Sequence, residues 1–121
     1  MKAKKKILIV EDEESNFELL KAMLRKREVD IHWAQTGRQA LDYCENQDFH
    51  LILMDIKMPE MNGYKVLEIL RTMGMKIPII AQTAYARIED EEKALSAGFS
   101  GYISKPIDRN KFNKLIDQFI L

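Results

Sequence analysis

The stretch Leu51-Ile-Leu-Met-Asp-Ile-Lys-Met-Pro-Glu-Met-Asn-Gly63 decides the fold. Leu51 to Met54 is an apolar run too short for a buried helix. It fits a strand covered on both faces, as parallel sheets require. The run stops at Asp55, Pro59 and Gly63 punctuate the chain, and helical spacing resumes from Gly63 to about residue 73. The same unit recurs on either side. Ile7 to Val10, Ile77 to Ala81 and Tyr102-Ile103 are further short apolar runs, and Asp30 to Ala34 is more polar and alternates, which suits an edge strand. Helix-length segments lie between them, at about 14–27, 36–46, 88–97 and 108–120. Thr36 and Asp108 are placed to cap helix starts, and Gly74 and Gly98 to stop helices. Strands alternating with helices predict an α/β fold of (βα)5 type, with a parallel sheet, right-handed crossovers and helices on both faces. With no repeat and no linker-like tract, the expectation is one domain over 1–121, with 1–5 a basic flank.

Composition narrows the function. The chain has 121 residues, enough for one ordinary domain. Lys plus Arg equals Asp plus Glu, 19 against 19, which argues against direct binding of nucleic acid or an anionic membrane surface. One cysteine makes neither an internal disulfide nor a multi-cysteine metal site. No apolar run approaches the ~20 residues of a membrane span. The basic start is followed only by Ile7 to Val10 before four acids, so it lacks a signal-peptide core. The expected location is the cytoplasm.

In open α/β sheets, ligands bind outside the carboxyl ends of the strands. Here those ends carry Glu11-Asp12-Glu13-Glu14, Asp55, Gln82-Thr83 and Ser104-Lys105-Pro106. Two carboxylates about 4 Å apart repel by ~4 kcal/mol at an effective dielectric of 20, so a cation is expected among them. All-oxygen ligands suit Mg²⁺ or Mn²⁺ better than zinc. Lys105 and Thr83 would flank an anion beside a carboxylate nucleophile, the arrangement of phosphoryl transfer.

Four stretches, ILIVEDEESN, LILMDIKMPEMNG, IPIIAQTAYA and AGFSGYISKPI, resemble the receiver domains of two-component response regulators, and cover essentially the whole chain. The middle two look most like receivers of hybrid sensor histidine kinases. The resemblance implies a flavodoxin-like sheet in the order 2-1-3-4-5 and phosphorelay signal transduction. It makes Asp55 the phosphoacceptor, with Asp12, Glu11 and the backbone carbonyl of Lys57 joining Asp55 around Mg²⁺, for which Mn²⁺ substitutes. Thr83 and Lys105 would contact phosphoryl oxygens, and Lys105-Pro106 would be a cis peptide. Thr83 and Tyr102 would form the switch pair, while Lys57 and Tyr85 would set the lifetime of the phosphorylated state. The implied partners are a histidine kinase or histidine phosphotransfer domain and a downstream output partner or domain, with room for a phosphorylation-dependent homodimer. Such a protein is not an enzyme in the turnover sense, since it catalyses only its own phosphorylation and dephosphorylation. Glu11 stands where many relatives carry Asp, and Asn62, where Asp is common, is suited to cap the third helix.

The other notable residues have plainer roles. Glu13 and Glu14 read as a solvated helix start, His32 and His50 as structural, Cys44 as packing, and Met58, Met61, Met73 and Met75 as loop and core filler. On helix one, Leu19, Leu20, Met23 and Leu24 make one apolar stripe, and Phe17, about 90° from its centre, is expected to be partly exposed. That leaves Phe17 either as edge packing or, as the resemblance implies, as a partner contact with Pro106 and Ile107. A flavin carrier of the same fold needs a phosphate cradle where Glu11 to Glu14 would repel phosphate. A haloacid-dehalogenase-type phosphatase wants a second Asp where Lys57 stands. The remaining alternative is a degenerate receiver acting only as a protein-interaction module, against which the full set Glu11, Asp12, Asp55, Thr83 and Lys105 argues.

Overall fold

The computed structural model describes residues 4–84 and 87–120. In them, strands β1 (Lys5–Val10), β2 (Val29–Ala34), β3 (Leu51–Asp55), β4 (Ile79–Thr83) and β5 (Gly101–Ser104) alternate with helices α1 (Glu14–Met23), α2 (Gly37–Asn46), α3 (Gly63–Thr72), α4 (Ile88–Ala97) and α5 (Arg109–Phe119). All paired strands are parallel, in the order β2-β1-β3-β4-β5, with the polar strand β2 at an edge. The expected (βα)5 architecture and strand order are those observed.

Alternation along each strand feeds two cores. Leu8, Val10, Ile52, Met54, Ile79 and Ala81 meet Ala40, Leu41, Val66, Leu67, Leu70 and Ala94 from α2, α3 and α4. Ile7, Ile9, Leu51, Leu53, Ile80 and Ile103 meet Phe17, Leu20, Phe112 and Ile116 from α1 and α5. Each fully buried Leu, Ile or Phe contributes ~1.5–3 kcal/mol of transfer free energy. Helix boundaries follow local chemistry. Thr36, Asn62 and Asp108 accept from the backbone N–H groups of Gln39, Lys65 and Lys111. Gly98 ends α4 at φ 118°, a left-handed conformation that favours glycine.

Three expectations are corrected. Helix α1 ends at Met23 and does not run on to residue 27, because Arg25 and Arg27 donate to Ala22 and Leu24, three residues back, tightening the chain into turns. Strand β4 starts at Ile79: Pro78 has no N–H, and although its carbonyl accepts from Ile52, that of Ile77 is taken by Arg71. Phe17 is buried, 7% exposed, whereas Leu19 is 44% exposed. The helix is rotated so that Phe17, Leu20 and Leu24 face the sheet, and the ring of Phe17 stacks on Trp33 with centroids 4.3 Å apart and planes 5° apart.

Both histidines are structural, as expected. His32 meets Tyr43 and Phe49 edge-on, and His50 Nδ1 accepts from the Lys6 N–H at 2.9 Å. Cys44 is buried, and burial pushes its thiol up to about 11, so it is an unreactive packing residue. Among the described residues, no helix is long and apolar enough to cross a membrane.

Candidate metal and phosphoryl site

Because the strands are parallel, their carboxyl ends gather at one edge of the sheet. Glu11 follows β1, Asp55 ends β3, Thr83 ends β4 and Lys105 follows β5. The ladder places Gln82 beside Asp55, and Ser104 beside Thr83. Two further backbone bonds extend it past the strand ends: Glu11 N–H donates to Ala34 at 3.0 Å and Lys105 N–H to Thr83 at 2.7 Å.

Among the described residues, the buried polar or charged ones are Glu11, Asp55, Gln82 and Thr83, all at this edge. Carboxylate oxygens of Glu11, Asp12 and Asp55 lie within 4.8 Å of one another. Lys105 Nζ sits 3.3 Å from Glu11 Oε1 and 3.5 Å from Asp55 Oδ2, so one ammonium faces two buried carboxylates. The remaining carboxylate oxygens are held by backbone: Glu11 Oε2 accepts from the Glu13 N–H at 3.1 Å, and Asp55 Oδ1 from the Lys57 N–H at 3.2 Å. Burial, then the charge of Asp55, pushes the Glu11 carboxyl up to about 7. Burial also raises Asp55, against the opposing pull of Lys105. One ammonium therefore leaves the cluster short of positive charge. A hard divalent cation that accepts all-oxygen ligands fits this donor set.

The loop after Asp55 is shaped by close approach. A Cβ on Gly63 would meet the Asp55 carbonyl at 2.8 Å and the Ile56 Cα at 2.9 Å, so only glycine lets α3 start against the end of β3. Gly63 N–H donates to the Ile56 carbonyl at 2.8 Å, fixing the span that carries Lys57. Thr83, Tyr102, Ile56, Lys57, Tyr64 and Lys93 line a cavity of about 240 Å³ below α4. Tyr102 is half-buried, with Ser104 on the same face and Ile103 on the other, as alternation predicts. Lys105-Pro106 is a cis peptide, Pro106 is exposed and Ile107 is half-buried. Tyr85 lies outside the described residues.

Glu11, Asp12, Asp55 and Lys105, placed at one edge by sequence reading, are brought together; Thr83 ends β4 at the same edge and lines the cavity that also holds Ile56 and Lys57. Phe17 is buried and stacks on Trp33, with Lys21 Nζ 5.9 Å from the ring centroid. Two residues at this edge have no role assigned from the sequence. Gln82 is buried with neither amide atom hydrogen-bonded, a polar interruption of an apolar strand that the sequence displayed openly. Trp33 Nε1–H donates to the Glu11 carbonyl at 2.8 Å, which no local pattern announces.

Comparison with known proteins agrees with this geometry. A 14.6 kDa protein of Leptolyngbya boryana is 36% identical over 117 residues, covering 95% of this chain and 89% of that protein. The hybrid signal transduction histidine kinase I of Dictyostelium discoideum is 40% identical over 121 residues, covering 93% of this chain but 7% of the kinase. The receiver domain of the Pseudomonas aeruginosa sensor histidine kinase PA1611, which has a magnesium ion coordinated in its active-site cleft, superposes with TM-score 0.86 at 35% identity, covering 98% of each chain. The sequence model of the response regulator receiver domain matches residues 7–117, and this chain belongs to that family.

Proposed function

We propose that this chain accepts a phosphoryl group on Asp55 from a phosphohistidine and switches a partner-binding surface in response. One observation carries the reading: three carboxylate oxygens lie within 4.8 Å, and Lys105 reaches both buried members of the set. Glu11, Asp12, Asp55 and the Lys57 carbonyl would hold Mg²⁺, or Mn²⁺ in its place. The ion would supply charge neutralisation for the phosphoryl oxygens and the carboxylates. An Asp55 carboxylate oxygen attacks phosphorus, the P–N bond of the donor breaks, and the imidazole leaves with the electron pair. The product is an acyl phosphate. The Lys105 ammonium stays at the site to pair with a phosphoryl oxygen, and the Thr83 hydroxyl donates to another.

Thr83 and Tyr102 lining one cavity support the switch. Drawing Thr83 toward the phosphoryl group opens space into which Tyr102 rotates, changing the surface of α4, β5 and α5. A charge-assisted hydrogen bond contributes about 1.5–3 kcal/mol, which moves a two-state equilibrium by roughly 10- to 150-fold. The donor, a histidine kinase or histidine phosphotransfer domain, would dock at the exposed Pro106 with Ile107, and Phe17 would support this edge from beneath Trp33. The altered surface then engages an output partner or a second copy of the chain.

The test is intact-mass measurement after acetyl phosphate treatment. Wild type with Mg²⁺ gains one phosphate, whereas Asp55→Asn, or wild type in excess chelator, gains none. Labelling of the Asn variant would overturn the reading. For the switch, NMR spectra with beryllofluoride should show Tyr102 and α4 responding in wild type and not in Thr83→Ala. Equal responses would uncouple Thr83 from that surface.

A further inference from the structure

The peptide bond between Glu11 and Asp12 carries both acids that the loop after β1 brings to the site. Its carbonyl belongs to Glu11 and accepts the indole N–H of Trp33 at 2.8 Å. Trp33 lies on β2, in register with Ile9. Its ring is clamped from the other side by Phe17 of α1, at 4.3 Å and 5°. These contacts close a ring of structure: β1 leads to Glu11, the loop leads to Phe17, Phe17 stacks on Trp33, and Trp33 returns to the Glu11 carbonyl. Stacking fixes the indole plane, and the hydrogen bond fixes the plane of the Glu11–Asp12 peptide. The orientation of that peptide sets the direction in which the Asp12 side chain leaves the backbone. Asp12 is exposed, with a carboxylate oxygen within 4.8 Å of those of Glu11 and Asp55.

We infer that Trp33 is a positioning residue for the divalent-cation site, holding Asp12 and Glu11 in the cation-ready arrangement through the Glu11 carbonyl. Phe17 is its support, which gives the buried phenyl ring a role at the site in addition to packing. The inference rests on the cation-site reading above. Trp33 acts through the Glu11 carbonyl, to which its indole N–H donates.

The experiment uses the whole chain and Mn²⁺ or Mg²⁺ alone, without phosphodonor. Trp33→Phe keeps an aromatic ring for Phe17 to stack on and removes the N–H. A neutral hydrogen bond of ordinary strength corresponds to about a 3- to 10-fold change in an equilibrium, so Mn²⁺ affinity by electron paramagnetic titration should fall by about that factor. The amide resonances of Asp12 and Glu13 should shift in the metal-free variant, which a loss of global stability alone would not produce. Phe17→Leu should weaken Mn²⁺ binding in the same direction and by less. In wild type the chain has one tryptophan, hence one indole N–H resonance. On Mg²⁺ titration it should move with the same midpoint as the Asp12 amide, a readout that does not need a folded variant. A folded Trp33→Phe that binds Mn²⁺ as wild type does, or an indole resonance that stays still while Asp12 titrates, overturns the role of Trp33 and leaves the cation site standing. Absence of Mn²⁺ binding by wild type overturns both.

Discussion

The two ends of the sheet are built on opposite terms. At the amino end, polar groups are matched. Lys6 and His50 exchange hydrogen bonds, Ser100 bonds to both the N–H and the carbonyl of Ile79, and Arg71 donates to the carbonyls of Met75, Ile77 and Gly98 at 2.7–3.2 Å. At the carboxyl end, two buried carboxylates share one ammonium, and Gln82 is sealed in with an unpartnered amide. Buried groups left short of partners cost free energy. The amino end holds the fold together, and the carboxyl end draws on that stability to keep charge ready for a ligand.

The contrast predicts substitutions of opposite sign. The largest effect is expected from Arg71→Ala. It removes three charge-assisted bonds that tie the end of α3 to the approach to β4 and to the end of α4. Allowing for partial exposure, stability should fall by about 2–3 kcal/mol, read from urea denaturation, while phosphate incorporation by the folded protein is unchanged. A loss under about 0.5 kcal/mol would erase the distinction between the ends.

At the other end, Asp55→Asn should raise stability. It removes one of two repelling buried carboxylates and keeps the shape. About 1 kcal/mol is expected in chelator, a rise of a few degrees in Tm. A lower Tm would mean that Asp55 is a stabilising partner of Lys105.

The pH dependence sharpens the same point. Glu11 is raised from 4.5 to about 7 in the folded protein, so the folded state holds a proton that the unfolded state releases. Its contribution to stability is therefore fully present below pH 4.5 and is lost as the pH rises through about 7. Melting of the metal-free protein between pH 5 and 8 should show this decline. Glu11→Gln should flatten it, and Mg²⁺ should stabilise wild type more at pH 8 than at pH 5.5.

The smallest effect is expected from Lys93→Ala. Lys93 Nζ lies 5.0 Å over the ring of Tyr64, beside the cavity of Tyr102. Losing this contact should cost about 0.5 kcal/mol, measured by chemical denaturation. A much larger loss would make α4 a tightly held element. Its fold-side grip argues otherwise, since Ala94 is its buried residue and Ile88 is 74% exposed.

How much of this was legible in the sequence depended on whether the cause was local. Asn62, Thr36 and Asp108 cap helices through their own side chains a few residues away, and reading their type sufficed. Glu11, Asp55, Thr83 and Lys105 were legible because a parallel sheet puts every strand's carboxyl end on one edge. The rotation of α1 was not, since it is set by Trp33, a residue on another strand that offers Phe17 a flat partner. The late start of β4 was half visible in Pro78, but the competing donor, Arg71, comes from α3.

The Lys105–Glu11 contact joins positions 94 apart in the chain. Contacts of such separation close late and open with the domain as a whole. No fragment that lacks either Glu11 or Lys105 presents the pair. Under the proposed function, acceptance of phosphate is thus a census of intact domains, and copies cut between the two positions cast no vote in the signal.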